Sequence, residues 1–244
     1  MELLKKIKLF CIPYAGGSAE VFRKWAGYFS SPVELFPVEL AGRGKRYNKP
    51  LYAGLDDAVN DVSGIIIDNI DHHPYAFFGH SMGCIIIYEL YYKLMDYGIK
   101  DPVHMFFSGC YPPHIGKKIP AYHKLPGDEF KEKIFSLGGT LEELLKRKAL
   151  LDTFIPILKA DFKIVETYNH IHRDKKLACD ITVFNANDDK NIDDIVKWQE
   201  LTGGSCNIYE YEGGHFFINK HIGSISGVIN YTLNSKFKSI LTEY

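Results

Sequence analysis

The chain has 244 residues, enough for one large α/β domain with a full core, and a single domain over residues 1–244 is expected. Its apolar share of 46% and charged share of 24% match ordinary globular proteins and exclude a disordered or fibrous chain. With 29 basic against 30 acidic residues the formal charge is −1, so no broad field draws the chain to nucleic acid or an anionic membrane.

Met1 to Lys8 is basic, but the apolar run after it is cut at Pro13 and passes into Gly16 and Gly17. Neither a secretory signal nor a membrane span is expected. Ile7 to Ile12 predicts a first strand, and Ala19 to Phe29 carries apolar residues at helical spacing. Val33 to Leu40 predicts a second strand, and Leu55 to Ile70 a helix with Asp56 and Asp57 at its start. Tyr75 to Phe78 is a third strand running into Gly79, Cys84 to Met95 a helix, and Val103 to Ser108 a fourth strand. Strands alternating with helices predict a mostly parallel, doubly wound sheet, because parallel neighbours need crossover connections.

Between Tyr111 and His172 the rhythm breaks. Prolines 112, 113, 120, 126 and 156 separate short helical patterns such as Asp128 to Phe135 and Leu141 to Leu151, with no strand in sight. A helical lid insertion at roughly residues 112–170 is expected, laid over the sheet and mobile there. The alternation resumes with a strand at Ile181 to Asn185, a helix around Ile192 to Leu201, a strand at Asn207 to Tyr211 and a last helix after His215. The five cysteines are scattered, odd in number and without C-x-x-C spacing, which predicts free thiols in a reducing cytosol. His72 and His73 fall in a turn, and His170 and His172 in a loop. None stands at ligand spacing from a cysteine or carboxylate, so no metal is expected. Tyr88, Tyr91 and Tyr92 are read as packing residues.

Gly79-His80-Ser81-Met82-Gly83 is G-x-S-x-G between a predicted strand and a predicted helix, the setting a nucleophile elbow requires. The serine sits in a strained turn there, and the two glycines remove Cβ atoms that would meet the neighbouring backbone. A serine hydroxyl needs a base to take its proton and an acid to orient that base. His215, after Gly213-Gly214 and the last predicted strand, stands where this fold places the base. Asp188 and Asp189 follow the strand Ile181 to Asn185, and position alone leaves both open as the acid. Asp193 and Asp194 belong to the first turn of the next helix. An oxyanion needs two backbone N–H donors, one after the nucleophile and one from the glycine turn after the first strand, which points to Met82 and Ala15. The turn Pro13-Tyr14-Ala15-Gly16-Gly17 has neither the Walker lysine pattern nor a full G-x-G-x-x-G, so nucleotide binding is not expected.

Further blocks extend along the chain. They are Leu9 to Ser18, Gly42-Arg43-Gly44 with Arg46, Phe78 to Gly83, Ser108-Gly109 and Leu125-Pro126 with Phe130. Then come Leu137 to Thr140, Ala160-Asp161-Phe162, Glu166-Thr167-Tyr168 and Gly213 to Phe217. With these, the chain resembles the stand-alone type II thioesterases that accompany nonribosomal peptide and polyketide synthases, on the α/β-hydrolase fold. The resemblance implies a cytoplasmic editing hydrolase, without a cofactor of its own. Such an enzyme removes stalled acyl or aminoacyl groups from the phosphopantetheine arms of carrier protein domains, and a monomer is expected. It also favours Asp189 as the triad acid, although Lys190 stands where the family usually has proline. The alternatives are a carboxylesterase or acyltransferase on the same fold, which the triad would equally serve, and a non-catalytic carrier-binding protein.

Overall fold

The computed structural model describes residues 6–116, 120–136, 148–189 and 192–242. Its strands are β1 (Ile7–Ile12), β2 (Val33–Pro37), β3 (Tyr75–His80), β4 (His104–Ser108), β5 (Ile181–Ala186) and β6 (Cys206–Tyr211). They form one sheet in the order β2-β1-β3-β4-β5-β6, with every pairing parallel. The chain runs outward from β1 to β2, then crosses back to β3 and proceeds the other way. The strand order therefore reverses between β1 and β3, and the loops that leave the carboxyl ends of these two strands border a crevice.

The central strands are buried on both faces, and alternate residues go to opposite cores. Phe10, Phe77, Phe107 and Val183 face one core, packed by α1 (Leu55–Ile70) through Val59, Val62 and Ile66 and by the almost wholly buried α2 (Met82–Asp96). Leu9, Cys11, Phe78, Phe106 and Phe184 face the other. There the covering residues are Phe22 and Trp25, together with Ile225, Ile229 and Leu233 of the last helix, α6 (Ile222–Thr242). Tyr88, Tyr91 and Tyr92 are buried in the first core, as packing residues should be.

Several boundaries differ from the sequence expectations for local physical reasons. Ala19–Tyr28 is a 3-10 helix, which aligns Phe22 and Trp25 three residues apart on one buried edge. The 192–201 segment divides into a single α turn, α5 (Ile192–Ile195), and a 3-10 stretch Val196–Leu201 that buries Trp198. The insertion contains α3 (Gly127–Ser136) and α4 (Lys148–Thr167). Pro156, expected to break the pattern, lies inside α4. The helix passes through because Pro156 is exposed while Ile157, Leu158, Asp161 and Ile164 on its other side are buried. Most of the expected helix Leu141 to Leu151 lies outside the described residues. Phe130, Ile134 and Leu158 form a small separate core within the insertion, with Tyr122, Phe154 and Phe162 packed around it.

One buried strand residue predicts a pH dependence of stability. His104 on β4 is 1% exposed, bonds Thr182 Oγ1 through Nε2 at 2.8 Å and has no partner at Nδ1. Burial pushes its pKa down from 6.5 to about 4, with the Lys236 ammonium adding to the shift and Asp180 opposing it. The unfolded chain therefore takes up this proton near pH 6.5 and the folded chain only near pH 4, so stability falls as pH drops through that window. In paired urea titrations, wild type should lose about 2 kcal/mol more than His104→Phe between roughly pH 7 and roughly pH 5. Parallel pH curves for the two proteins would refute the assignment.

Candidate functional site

Four loops, at the carboxyl ends of β1, β3, β5 and β6, meet at the crevice. Ser81 stands between β3 and α2 with φ 55° and ψ −115°, a backbone state that costs energy for a residue with a Cβ. The turn is fixed from several sides. Ser81 N–H donates to Ser108 O at 2.8 Å, Cys84 N–H to Ser81 O at 2.9 Å, and the buried Cys84 thiol to Gly79 O at 3.0 Å. The glycines are required sterically. A Cβ on Gly79 would lie 2.5 Å from the Gly83 carbonyl, and one on Gly83 would lie 2.2 Å from Ile12 O, where backbone has no room to give.

His215 and the acid arrive on two loops stitched to each other. Asn187 N–H donates to Tyr211 O at 3.1 Å, Gly213 N–H to Asn187 Oδ1 at 3.2 Å and Asp188 N–H to Gly213 O at 3.3 Å. Gly213, at φ 111°, supplies the backbone conformation that the second loop needs. The result is a chain of three side chains: Ser81 Oγ lies 2.9 Å from His215 Nε2, and His215 Nδ1 lies 2.7 Å from Asp189 Oδ2. A carboxylate only accepts, so His215 carries its proton on Nδ1 and turns a lone pair on Nε2 toward the serine hydroxyl. Asp188 is exposed and turns elsewhere, into a cavity of about 470 Å³ shared with Glu212, Lys220 and His221.

The glycine turn after β1 lies beside the elbow. Gly17 N–H donates to Tyr14 O at 2.8 Å and Gly16 N–H to Asp161 Oδ2 at 2.7 Å, so both are committed, and Ala15 is left as the turn's candidate donor. Met82 begins α2, where N–H groups lack partners within the helix. The two N–H groups expected for an oxyanion thus belong to adjoining segments. Tyr14 packs edge-on against His80 and Phe216, with ring centroids at 5.7 and 5.0 Å, and burial raises its phenol pKa, so it remains neutral.

Two arrangements carry roles that the sequence left unassigned. His80, the residue before Ser81, is fully buried and bridges Ser108 Oγ at 2.9 Å and the carbonyl of His215 at 3.0 Å. A carbonyl accepts only, so His80 Nε2–H donates to it and holds the His215 backbone against the elbow. Arg43 forms a buried bidentate pair with Asp161 of α4 at 2.6 and 2.8 Å. Both residues lie within motif blocks of the sequence, which was the available signal. Among the described residues, no group of three or more His, Cys, Asp or Glu is placed to hold a metal, and no helix is long and apolar enough to cross a membrane.

A family model described as "Thioesterase domain" matches residues 7–232. The medium-chain S-acyl fatty acid synthase thioesterase of Anas platyrhynchos is 36% identical over 215 residues, spanning 86% of this chain and 85% of its own. Gramicidin S biosynthesis protein GrsT of Aneurinibacillus migulanus is 34% identical, over 87% of this chain and 83% of its own. Among solved structures, ClbQ from the colibactin NRPS/PKS pathway superimposes with a TM-score of 0.91 at 34% identity, covering 96% of this chain and 99% of that one.

Proposed function

This chain belongs to the thioesterase family and is a thioester hydrolase of α/β-hydrolase fold; from that premise we propose that it is a cytosolic, monomeric serine thioesterase of the editing type. In this reading it clears acyl or aminoacyl groups from phosphopantetheine arms of carrier protein domains in nonribosomal peptide or polyketide assembly. The observation that carries the reading is the continuous hydrogen-bonded chain from Ser81 through His215 to Asp189 beside the Met82 and Ala15 backbone. The likeness to GrsT and ClbQ supports the assembly-line setting.

The chemistry follows from the geometry. Ser81 Oγ attacks the thioester carbonyl as its proton passes to His215 Nε2, and the resulting imidazolium is held by Asp189. The negative oxygen of the tetrahedral intermediate is met by the Met82 and Ala15 N–H groups, the former aided by the positive end of α2. The intermediate collapses by breaking the C–S bond, and the thiol leaves with the proton from His215. Water then gives its proton to the same imidazole while its oxygen attacks the acyl-serine, and the acid is released with Ser81 restored. These steps close without a metal or cofactor. A thiolate is a good leaving group, so selectivity can rest on the helical insertion and on contact with the carrier.

A second reading, release of medium-length acyl chains from a fatty acid synthase, is favoured by the Anas platyrhynchos relative. Both are tested by one comparison: deacylation of a phosphopantetheinylated carrier bearing acetyl, aminoacyl or decanoyl groups, against a matched oxygen ester. The editing reading expects acetyl and aminoacyl carriers to be cleared at least about tenfold faster than the oxygen ester. A decanoyl carrier cleared far faster than either would favour the fatty-acyl reading, and a faster oxygen ester would favour an esterase.

A further inference from the structure

The turn that supplies the Ala15 N–H is held from outside the sheet. Asp161, on the insertion helix α4, is fully buried, and its carboxylate accepts three hydrogen bonds. These are Gly16 N–H at 2.7 Å, Arg43 Nη1 at 2.6 Å and Arg43 Nη2 at 2.8 Å. Arg43, 5% exposed, spends its remaining reach on backbone, with Nη1 donating to Gly17 O at 3.1 Å and Nε to Ala41 O at 3.3 Å. The pair thus grips the Ala15-Gly16-Gly17 turn at two successive residues, one through its N–H and the other through its carbonyl. Phe154, Leu158 and Asp161 stand at the i, i+4, i+7 positions of one face of α4. Against that face Gly16, at φ 78°, lies so close that a Cβ would come within 2.6 Å of Leu158 Cδ2 and 2.9 Å of Phe154 Cζ.

Burying two charges costs both their hydration, and apolar side chains of similar volume would fill the same space more cheaply. What an apolar pair would not do is direct two particular backbone groups. We propose that Arg43 and Asp161 are positioning residues for the oxyanion turn, through which α4 aims the Ala15 N–H at the oxygen of the carbonyl whose carbon Ser81 attacks. This rests on Ala15 acting as an oxyanion donor in the thioesterase reading. It also makes α4 a fixed support for the catalytic turn instead of a free lid. Its Ile164 is buried in the main core, consistent with an anchored helix.

An interaction that acts on the developing oxyanion should change kcat and the affinity for tetrahedral adducts while leaving ground-state binding alone. The decisive protein is the double variant Arg43→Met/Asp161→Leu, which removes both charges and leaves neither one buried alone. With a soluble acyl-coenzyme A thioester, its kcat is expected to fall roughly 100-fold while KM stays within about threefold. Inhibition by an alkyl trifluoromethyl ketone, which forms a tetrahedral adduct with Ser81, should weaken in proportion to kcat. Asp161→Asn keeps an acceptor for the Gly16 N–H and should lie between wild type and the double variant on the same kcat-against-inhibition line. It supplies the test, read per folded molecule, if the double variant does not fold. Folded variants that keep kcat within about threefold, or lose KM alone, would overturn the proposal. If Ser81→Ala retained turnover, the thioesterase mechanism itself would fall and the proposal with it; Ser81-dependent turnover undiminished in the double variant would remove only the positioning role.

Discussion

Ser81→Ala is expected to lower kcat for thioester hydrolysis by roughly 10⁴- to 10⁶-fold with KM little changed, because it removes the atom that, in the proposed mechanism, forms the acyl-enzyme, and nothing else at the site. His215 Nε2 meets Ser81 Oγ at 2.9 Å, and Ser108, the neighbouring serine, is fully buried and engaged with His80. The fold should survive the change. The strained backbone at φ 55° is kept by Gly79, Gly83 and the Ser108 carbonyl, and alanine retains the Cβ already accommodated there. The check has two parts. Steady-state kinetics on an acylated carrier give the rate loss. Intact mass of rapidly quenched wild type should show the acyl group added, and the variant should show none. A folded variant retaining more than about a tenth of wild-type turnover would rule out Ser81 as the nucleophile.

The sheet and the elbow were legible because they depend on local pattern. Alternation within β1, β3, β4 and β5 fills two cores, and G-x-S-x-G between a strand and a helix leaves few other readings. What pattern could not give was direction and distant pairing. Neighbouring aspartates on one loop look alike in sequence, yet Asp188 N–H is drawn to Gly213 O and Asp189 N–H turns back to Ala186 O, which sends their side chains to different places. His80 stands in the elbow motif only as its unspecified second position. Its partners are 28 and 135 residues away, so nothing near it in the chain could reveal the bridge. Arg43 and Asp161 are 118 residues apart, and their pairing became visible only when α4 was seen lying on the glycine turn. Pro156 misled for a related reason. Local propensity marks it as a breaker, whereas burial of Leu158, Asp161 and Ile164 carries the helix past it.

The contrast between the paired aspartates gives the second large effect. Asp189→Asn should lower kcat by roughly 10³- to 10⁴-fold, whereas Asp188→Asn should stay within about threefold of wild type. In the native site the Asp189 carboxylate accepts from His215 Nδ1 at 2.7 Å, which keeps the Nε2 lone pair facing Ser81. An amide at that position can present its NH₂ to Nδ1, and the imidazole then favours the tautomer with its proton on Nε2, where it cannot accept the serine proton. The substitution also removes the negative charge that, in the proposed mechanism, stabilises the imidazolium during attack. Asp188 has no such access, since its side chain is exposed beside Glu212 and Lys220. Its backbone N–H, not its carboxylate, stitches the two loops, and asparagine keeps that bond. Because the defect lies in proton acceptance, Asp189→Asn should recover part of its rate as pH rises and deprotonated serine becomes more accessible, while Asp188→Asn should follow the wild-type pH profile. Equal losses in the two variants would mean that the loop as a whole, and not the one carboxylate touching His215, sets the rate.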